Sequence, residues 1–497
     1  MTPKPDSSLK WRFNELTLAY LSIFLVAIGL LVSMASHFWL DETHSYWATN
    51  AGFGQIYPRC LSSPLSIAYA TLFYAIRELG GRQEWMLRIP SLAAFALSVW
   101  FLFRFTRRMF DSRVAWFAIV IFVQIGNVNY AAVDARPYAL GLLFVIVSTD
   151  LLVRLLESPS RRLAVFYGMT AALVLHFHLL LGVILVVQVL YFCYSFAHGR
   201  RIALSYVAIA VLALAAVAAP IVVQALWLLN HAEKHMIPVH PSLGDLVFTL
   251  FPKRLTAALL AGVCVALVLQ RTLAWKWPAR NRAYVVLALI WMFTPAILYF
   301  VIARTSPMLI FLPRYLLTCG PGLAICFGLV AASLQPRLAG YLTLTLLLVN
   351  AALPFFFPAQ LRHTYNRGDW GAALAFAQKE TAVDHAPVFI RSQYIESDRG
   401  EWRGRPLDET LDFSPLVYYP VVARWIPVQN TFTEEQVSDL NKLFEADLGG
   451  TPRFLFAAFS GPASYEPYLK YFQAKVGPGH MRQIADFDYI AVFEFVR

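Results

Sequence analysis

Charged residues are scarce in this sequence. Only 14% of its 497 residues are Asp, Glu, Lys or Arg and 58% are hydrophobic, whereas a soluble domain usually carries about 25% charged residues. The apolar residues form successive runs of roughly 16 to 20 residues, each about as long as the hydrocarbon core of a bilayer demands. These properties exclude a soluble protein for most of the chain and predict a polytopic α-helical membrane protein.

Several motifs of soluble enzymes are also missing. The sequence has no glycine-rich phosphate loop, no cysteine-rich metal pattern and no internal repeat. Four of its five cysteines lie in or beside apolar runs, and Cys60 alone lies in a loop, so no disulfide framework is indicated. His176 and His178 are two residues apart, which does not place both on one helical face. That pair alone is therefore a weak metal site.

The net charge of +11 reports membrane topology. Basic residues cluster between alternate apolar runs, as the positive-inside rule expects of cytoplasmic segments, and a nucleic-acid partner is therefore not indicated. With these clusters inside, the sequence predicts eleven spanning helices, an amino terminus inside, and an outer side that carries everything after residue 357. The expected spans are 16–36, 86–104, 114–130, 137–153, 163–177, 179–196, 202–221, 256–271, 284–302, 315–333 and 338–356.

Two domains are expected. Residues 1–357 form a transmembrane domain, whose first outer loop (37–85) contains an amphipathic segment, 64–79, suited to the membrane interface. Charge returns near residue 358, and residues 358–497 are predicted to form a soluble α/β domain outside the membrane. We predict its helices at 369–379, 432–446 and 465–475, and its strands at 386–390, 453–459 and 489–496.

Asp41 and Glu42 are adjacent carboxylates that follow directly on the first apolar run. Carboxylates at this depth are costly, so their presence calls for a reason. They end the helix in the headgroup region or they serve a function, and the pair alone does not decide between these interpretations.

Other ionisable residues are predicted to lie on the same side of the membrane. Singly, each is explained as a side chain whose charged end reaches the interface, but a set of carboxylates and cations is more typical of a cavity or pathway. A carboxylate can take a proton from an acceptor hydroxyl, and cations can hold a phosphate leaving group. The set consists of Asp41, Glu42, His44, Arg136, His176, His178, Lys253, Arg254 and Arg314.

Five short motifs in this order carry a family resemblance. They are Leu40-Asp41-Glu42, Leu87-Arg88-Ile89-Pro90-Ser91, Ala135-Arg136-Pro137-Tyr138-Ala139-Leu140, Pro313-Arg314-Tyr315-Leu316 and Asp369-Trp370. With these motifs the sequence resembles the GT-C type membrane glycosyltransferases, a family that includes protein O-mannosyltransferases and the bacterial aminoarabinose transferase of lipid A. The resemblance covers residues 37 to about 140 and resumes near 311–322 and 365–372.

The resemblance implies a polyprenyl-phosphate sugar as donor, with undecaprenyl phosphate as the carrier in a bacterium. The acceptor would be a glycan, lipid or protein of the cell envelope at the outer face of the inner membrane, and the anomeric centre would be inverted. It implies Asp41 as general base, with Glu42 orienting the acceptor or sharing that catalytic role. Donor phosphate would be bound by Arg136, Arg314 and Tyr138, with Lys253 and Arg59 as further candidates. Other residues of the cleft would be His44, Asp134, His178 and Tyr315.

The first outer loop departs from the family pattern. Many relatives carry a basic residue before Pro-Pro-Leu-Tyr, whereas this chain has Ser62-Ser63-Pro64-Leu65-Ser66. Arg59 is the nearby candidate to replace that basic residue. No cofactor is required by this chemistry, and a divalent metal is optional because arginines can neutralise the phosphate.

Two rival functions remain open at this point. A transporter or flippase of lipid-linked sugars would use the same arginines without a base. Inverted repeats and broken helices in matching halves of the chain would be evidence for such a transporter. A non-catalytic assembly protein would use the outer domain for binding, but it would leave the paired carboxylates unexplained.

Overall fold

The computed structural model describes most of the chain. Some predicted features involve residues outside this part. They are the domain boundary at 357/358, Pro64, the outer segment 231–239 with its His231, Glu233, Lys234 and His235, and the basic loop 271–281. The described residues are 7–497 apart from 64, 231–239, 271–281, 307, 309, 358–367, 393, 395, 396, 399, 401, 407, 408, 420, 421, 447, 449, 450, 460, 478, 479 and 488.

Helices dominate the described structure. In chain order they are α1 (Ser7–Met34), α2 (Leu40–Asn50), α3 (Ile56–Ser62), α4 (Ile67–Glu78), α5 (Glu84–Met109), α6 (Ser112–Phe122), α7 (Gly126–Ala132), α8 (Tyr138–Glu157), α9 (Arg161–Phe177), α10 (Val183–Ala197), α11 (Leu204–Asn230), α12 (Leu243–Leu250), α13 (Lys253–Gln270), α14 (Arg282–Thr305), α15 (Pro313–Leu316), α16 (Gly320–Ser333), α17 (Arg337–Phe356), α18 (Trp370–Glu380), α19 (Ser414–Tyr418), α20 (Glu434–Ala446) and α21 (Pro462–Val476).

The protein is a multi-pass helical membrane protein. Among the described residues, eight helical segments are long and apolar enough to cross a bilayer. Two further spans result if α6 with α7 and α12 with α13 each count as one, although these pairs bend by 75° and 60°. Helix α9 is shorter, with 17 residues. A helix lies at each of the eleven predicted positions, and the structure supports eight to ten of them as spans.

The chain divides into two compact units. The first consists of Met1–Met34, Ser66–Tyr69 and Trp85–Tyr365. Its largest hydrophobic core joins α5, α6, α8, α14 and α16. Helix α16 lies so close to α14 that a Cβ on Gly322 would be 2.4 Å from the Met292 nitrogen. Glycine is therefore required there, because any larger residue would separate the two helix backbones.

The second unit consists of Ala35–Leu65, Ala70–Glu84 and Asn366–Arg497. It contains a five-stranded sheet in the order β2-β1-β3-β5-β4, in which β1 is parallel to β2 and β3, and β5 is antiparallel to β3 and β4. The strands are β1 (Val388–Arg391), β2 (Trp425–Val428), β3 (Arg453–Phe459), β4 (Met481–Asp486) and β5 (Ile490–Val496).

The α/β character of the carboxy-terminal part agrees with the sequence prediction. Strands β1, β3 and β5 and helices α18, α20 and α21 lie close to their predicted positions, because their apolar residues recur with the period of each element. Strands β2 and β4 were not predicted. Strand β2 has only four residues, and β4 is largely polar with several exposed side chains.

The first outer loop packs with the carboxy-terminal elements. Leu40, at the start of α2, is buried in one hydrophobic cluster with Trp370, Leu374, Ile390 and Phe413. The sequence predicts this loop as part of the transmembrane domain, whereas the contacts join 35–65 and 70–84 to the second unit. Helical and strand periodicity report local structure only, so they carried no signal for this long-range packing.

Candidate functional site

Asp41 and Glu42 begin a second helix rather than end the first. Helix α1 ends at Met34, and both carboxylates lie in the first turn of α2. The Trp39 N–H donates to Glu42 Oε2 over 3.2 Å, which satisfies one backbone donor at the helix start. Carboxylates are stabilised at this end by the helix dipole. Glu42 is fully buried and Asp41 is 9% exposed.

Asp41 is linked to a tyrosine of the same compact unit. Tyr394, which follows β1, donates from its hydroxyl to Asp41 Oδ1 over 3.1 Å. The same hydroxyl lies 2.8 Å from His44 Nδ1, and the His44 and Tyr394 rings are 4.3 Å apart. The structure therefore brings two predicted residues, Asp41 and His44, together with one that the sequence did not single out.

Arg59 lies in α3 of the same unit and contacts α2. Its guanidinium carbon is 4.6 Å from the centre of the Trp47 ring. It also donates to the Trp47 carbonyl and to Asn50 Oδ1. These contacts tie α3 to α2, and they place the guanidinium against the helix that carries the two carboxylates.

In the first unit, Ser91 joins two of the recognised motifs. Its hydroxyl donates to the Asp134 carbonyl over 2.6 Å and lies 3.2 Å from the Arg136 carbonyl. The turn is reinforced because the Arg136 N–H donates to the Asp134 carbonyl over 2.7 Å. Both Asp134 and Arg136 are buried. The serine of the second motif thus fixes the backbone that presents Arg136.

Arg88 has a comparable structural role. It is fully buried within α5, and its Nη1 donates to the Met34 carbonyl over 2.9 Å. This bond satisfies a carbonyl at the carboxyl end of α1, where intrahelical partners are missing. The arginine of the second motif therefore holds two helices of the first unit together.

Five predicted residues come together in the first unit, although they lie in three distant parts of the sequence. The ring of His178 is 5.2 Å from that of Tyr138 and 5.0 Å from that of Tyr315, and the two tyrosine rings are 6.5 Å apart. The Arg314 guanidinium carbon is 5.5 Å from the centre of the Tyr315 ring. We call His178, Tyr138, Tyr315, Arg136 and Arg314 the aromatic–arginine cluster.

His178 is neutral within this cluster. It lies in the turn between α9 and the short 3₁₀ helix Leu179–Gly182. Burial, together with the smaller effects of the positive charges of Arg136 and Arg314, lowers the pKa of His178 to about 3. The Leu180 N–H donates to His178 Nδ1 over 3.3 Å, so the ring carries its proton on Nε2. The positive charge of the cluster therefore comes from the two arginines.

Lys253 has a different environment. It is the first residue of α13, and its Nζ lies 4.1 Å above the ring of Phe248 in α12. The cation–π contact is of a kind that stabilises the bend between these two helices. The structure thus associates Lys253 with the α12–α13 pair. The rings of the aromatic–arginine cluster belong instead to α8, α15 and the α9–α10 turn.

A metal site is not formed by the described side chains. Among the residues that the structure describes, no group of three His, Cys, Asp or Glu side chains could hold a metal ion. His176 instead places Nε2 at 2.6 Å from the Val217 carbonyl of α11.

Sequence reasoning missed Tyr394 and the structural role of Ser91. Tyr394 lies in a stretch without helical or strand periodicity, Ser392-Gln393-Tyr394-Ile395-Glu396, and nothing in that stretch points to a carboxylate about 350 residues earlier. Ser91 could be singled out from the sequence only because it ends the motif Leu87-Arg88-Ile89-Pro90-Ser91. Its function as a backbone anchor required the fold.

Comparisons with known proteins agree with this architecture. The family profile of dolichyl-phosphate-mannose-protein mannosyltransferases matches residues 62–227. Comparison with curated protein sequences gives no match. Among solved structures, ArnT from Cupriavidus metallidurans in the apo state is similar, with a TM-score of 0.55 and 13% identity over 96% of this chain and 97% of ArnT. ArnT bound to undecaprenyl phosphate gives a TM-score of 0.54 and 12% identity over the same shares.

These findings support the resemblance inferred from the five motifs. The similar structures share the fold over nearly the whole chain, while the family profile covers a third of it, including the motif segments around Ser91 and Arg136. The matched segment is thus similar to the dolichyl-phosphate-mannose-protein mannosyltransferases, and the chain as a whole shares the fold of ArnT.

Proposed function

We propose that this protein transfers a monosaccharide from a polyprenyl-phosphate donor to a glycan, lipid or protein acceptor of the cell envelope. The family match and the undecaprenyl phosphate bound to the similar ArnT structure support this donor class. The observation that carries the proposal is the aromatic–arginine cluster, in which the charges of Arg136 and Arg314 both act on the buried His178. Two guanidinium groups beside aromatic rings suit a phosphate at the end of an apolar chain.

The proposed reaction is a single inverting displacement. An acceptor oxygen attacks the anomeric carbon of the sugar, and the bond from that carbon to the phosphate oxygen breaks with its electron pair on the phosphate. Arg136 and Arg314 stabilise the charge that develops there. Asp41 removes the acceptor proton as general base. The carrier phosphate is the leaving group, so atoms and charge balance without a metal.

The remaining predicted residues have supporting roles in this proposal. Glu42 accepts a backbone hydrogen bond at the start of α2, so it orients the helix turn that presents Asp41. Tyr138 and Tyr315 provide ring surfaces beside the arginines. Lys253 and Arg59 are further candidates for phosphate contacts, and Asp134 lies in the turn that presents Arg136.

We also propose that transfer takes place at the outer face of the inner membrane. The basic clusters between alternate apolar runs support this topology, since in the eleven-span arrangement predicted from the sequence α2 and the sheet-containing carboxy-terminal part would lie outside. A protease-cleavable tag after residue 497 tests this topology in intact spheroplasts. Cleavage without lysis is expected, and cleavage that needs lysis would contradict it.

The catalytic proposal is tested with full-length protein in lipid nanodiscs. Undecaprenyl-phosphate mannose, glucose and 4-amino-4-deoxyarabinose are supplied in turn, each radiolabelled in the sugar, with cell-envelope extract as acceptor. Wild type is expected to transfer one of the three labels, and Asp41→Asn to lose at least about 100-fold in turnover. Transfer by none of the donors would contradict the proposal, and movement of labelled lipid between leaflets without transfer would favour a transporter.

Matched variants separate chemistry from folding. Asp111→Asn is the control for Asp41→Asn, because Asp111 caps α6 by accepting from the Val114 N–H over 2.9 Å and Asn caps equally well. Arg136→Ala is expected to weaken undecaprenyl phosphate binding by about tenfold or more, whereas Arg161→Ala, at the exposed start of α9, keeps wild-type affinity. Equal affinity in Arg136→Ala would remove its phosphate role.

A further inference from the structure

We propose that Tyr394 is a positioning residue for Asp41, supplied by the carboxy-terminal part of the chain. The inference rests on the proposed role of Asp41 as general base. Its geometric basis is the hydrogen-bonded series His44 Nδ1, Tyr394 Oη and Asp41 Oδ1, with separations of 2.8 and 3.1 Å. All three residues belong to one compact unit.

The direction of these hydrogen bonds follows from the chemistry of the groups. An ionised carboxylate only accepts hydrogen bonds, and a phenol has one proton to donate. Tyr394 must therefore donate to Asp41 when Asp41 is ready to act as a base. The phenol oxygen then accepts from His44, which requires the His44 proton on Nδ1. The series thus fixes a tautomer of His44 and assigns Oδ1 of Asp41 to Tyr394.

The consequence for catalysis is orientation. With Oδ1 held by Tyr394, rotation of the Asp41 carboxylate about its terminal torsion, which is otherwise broad, is restricted. The carboxylate then has a defined direction relative to the acceptor hydroxyl whose proton it receives. A base must lie within hydrogen-bond reach of that proton, and small misplacements of a reacting group reduce rates strongly.

Tyr394 is suited to this role because its own backbone is firmly held. Its N–H donates to Ser392 Oγ over 3.1 Å, and its carbonyl accepts from Ser397 Oγ over 2.6 Å. Ser397 is fully buried and also accepts from the Asn430 N–H over 2.9 Å. Ser392 in turn donates from its N–H to the Val428 carbonyl of β2 over 3.1 Å. The turn is therefore anchored to the sheet.

Helix α2 is anchored to the same part of the chain at a second point. The Thr43 and Ser414 hydroxyls are 2.8 Å apart and both residues are buried. The Thr43 hydroxyl also lies 2.6 Å from the Leu40 carbonyl. Because this contact is independent of Tyr394, removing the Tyr394 hydroxyl should leave α2 in place and affect mainly the Asp41 carboxylate.

The test measures kcat and the donor KM of full-length Tyr394→Phe in nanodiscs, using the three labelled undecaprenyl-phosphate sugars named above. The variant keeps the ring contact with His44 and loses only the hydroxyl. We expect kcat to fall about 10- to 100-fold with KM and undecaprenyl phosphate affinity unchanged. Tyr471→Phe is the control, because its hydroxyl donates to Asn441 over 2.9 Å within the same unit. It should keep wild-type kcat.

Two further comparisons show whether Tyr394 acts through Asp41. In the Asp41→Asn background, Tyr394→Phe should cause no additional loss in single-turnover rate. His44→Asn, which retains a donor near the Nδ1 position, should keep more activity than His44→Phe. Additive losses, or a wild-type kcat in Tyr394→Phe, would overturn the positioning role.

Failure of the inference is distinguishable from failure of the proposed function. If Asp41→Asn is inactive while Tyr394→Phe has wild-type kcat, Asp41 remains the base and only the role of Tyr394 is wrong. If Asp41→Asn is fully active, the base assignment fails and the inference fails with it. Wild-type protein that transfers none of the three sugars would remove both.

Discussion

His37 and Asp369 form a contact across 332 residues of sequence. His37 Nδ1 lies 2.7 Å from Asp369 Oδ1, and the same carboxylate oxygen accepts from the Ala372 N–H over 2.8 Å. Asp369 therefore caps α18 and at the same time holds the segment that leads into α2. The two side chains are 47% and 40% exposed, so the cap contributes more stability than the contact with His37.

Asp369→Ala should lower the free energy of unfolding by about 1–2 kcal/mol, because it removes an N-cap and a half-exposed contact with His37 that contributes less than about 1 kcal/mol. Asp369→Asn keeps a capping oxygen and should lose clearly less. Thermal unfolding of full-length protein in detergent measures both variants. An equal decrease in the unfolding midpoint for Ala and Asn would show that the cap contributes nothing.

Ser91→Ala should weaken undecaprenyl phosphate binding several-fold, because the backbone that presents Arg136 loses its anchor. Ser98→Ala is the matched control, since Ser98 is equally buried in α5 and donates to the Ala94 carbonyl of its own helix over 2.8 Å. Each variant should cost about 1 kcal/mol of stability, as loss of one hydrogen bond does. Equal affinities in the two variants would contradict the anchoring role.

Gly322→Ala should strongly reduce the thermal stability of the protein. The added Cβ would lie 2.4 Å from the Met292 nitrogen and 2.7 Å from the Trp291 carbonyl carbon, so α14 and α16 must separate, and overpacking of this kind typically costs about 1–3 kcal/mol. At Gly126 an added Cβ meets nothing within 4 Å. Gly126→Ala should therefore fold like wild type, and comparable melting of the two variants would contradict the close approach.

His178 should make the protein acid-sensitive. Its folded pKa of about 3 lies below the ordinary 6.5, so the fold favours the neutral ring. The stability from that preference is complete above about pH 6.5 and is lost progressively as the pH falls towards 3. Between pH 8 and 4.5, wild type should therefore lose about 2–3 kcal/mol more of its free energy of unfolding than His178→Gln. Parallel pH profiles of the unfolding midpoint would show that His178 does not remain neutral.

The sequence was sufficient for the helices and for the members of the aromatic–arginine cluster. Long apolar runs report spans because a bilayer sets their length, and the motifs identified Arg136, Tyr138, Arg314 and Tyr315 before their contacts were visible. It was insufficient to predict that residues 35–65 and 70–84 pack with the carboxy-terminal elements. Leu40 packs with Trp370 and Ile390, and no local pattern predicts which distant elements bury a given apolar residue.

The contact between His37 and Asp369 sets an order for biosynthesis. The ribosome must add 332 residues after His37 before its partner exists, which takes roughly 15–70 s at about 5–20 residues per second. During that interval, α2 has none of the carboxy-terminal residues that later bury Leu40. The segment that carries Asp41 is thus made long before it can reach its final packing.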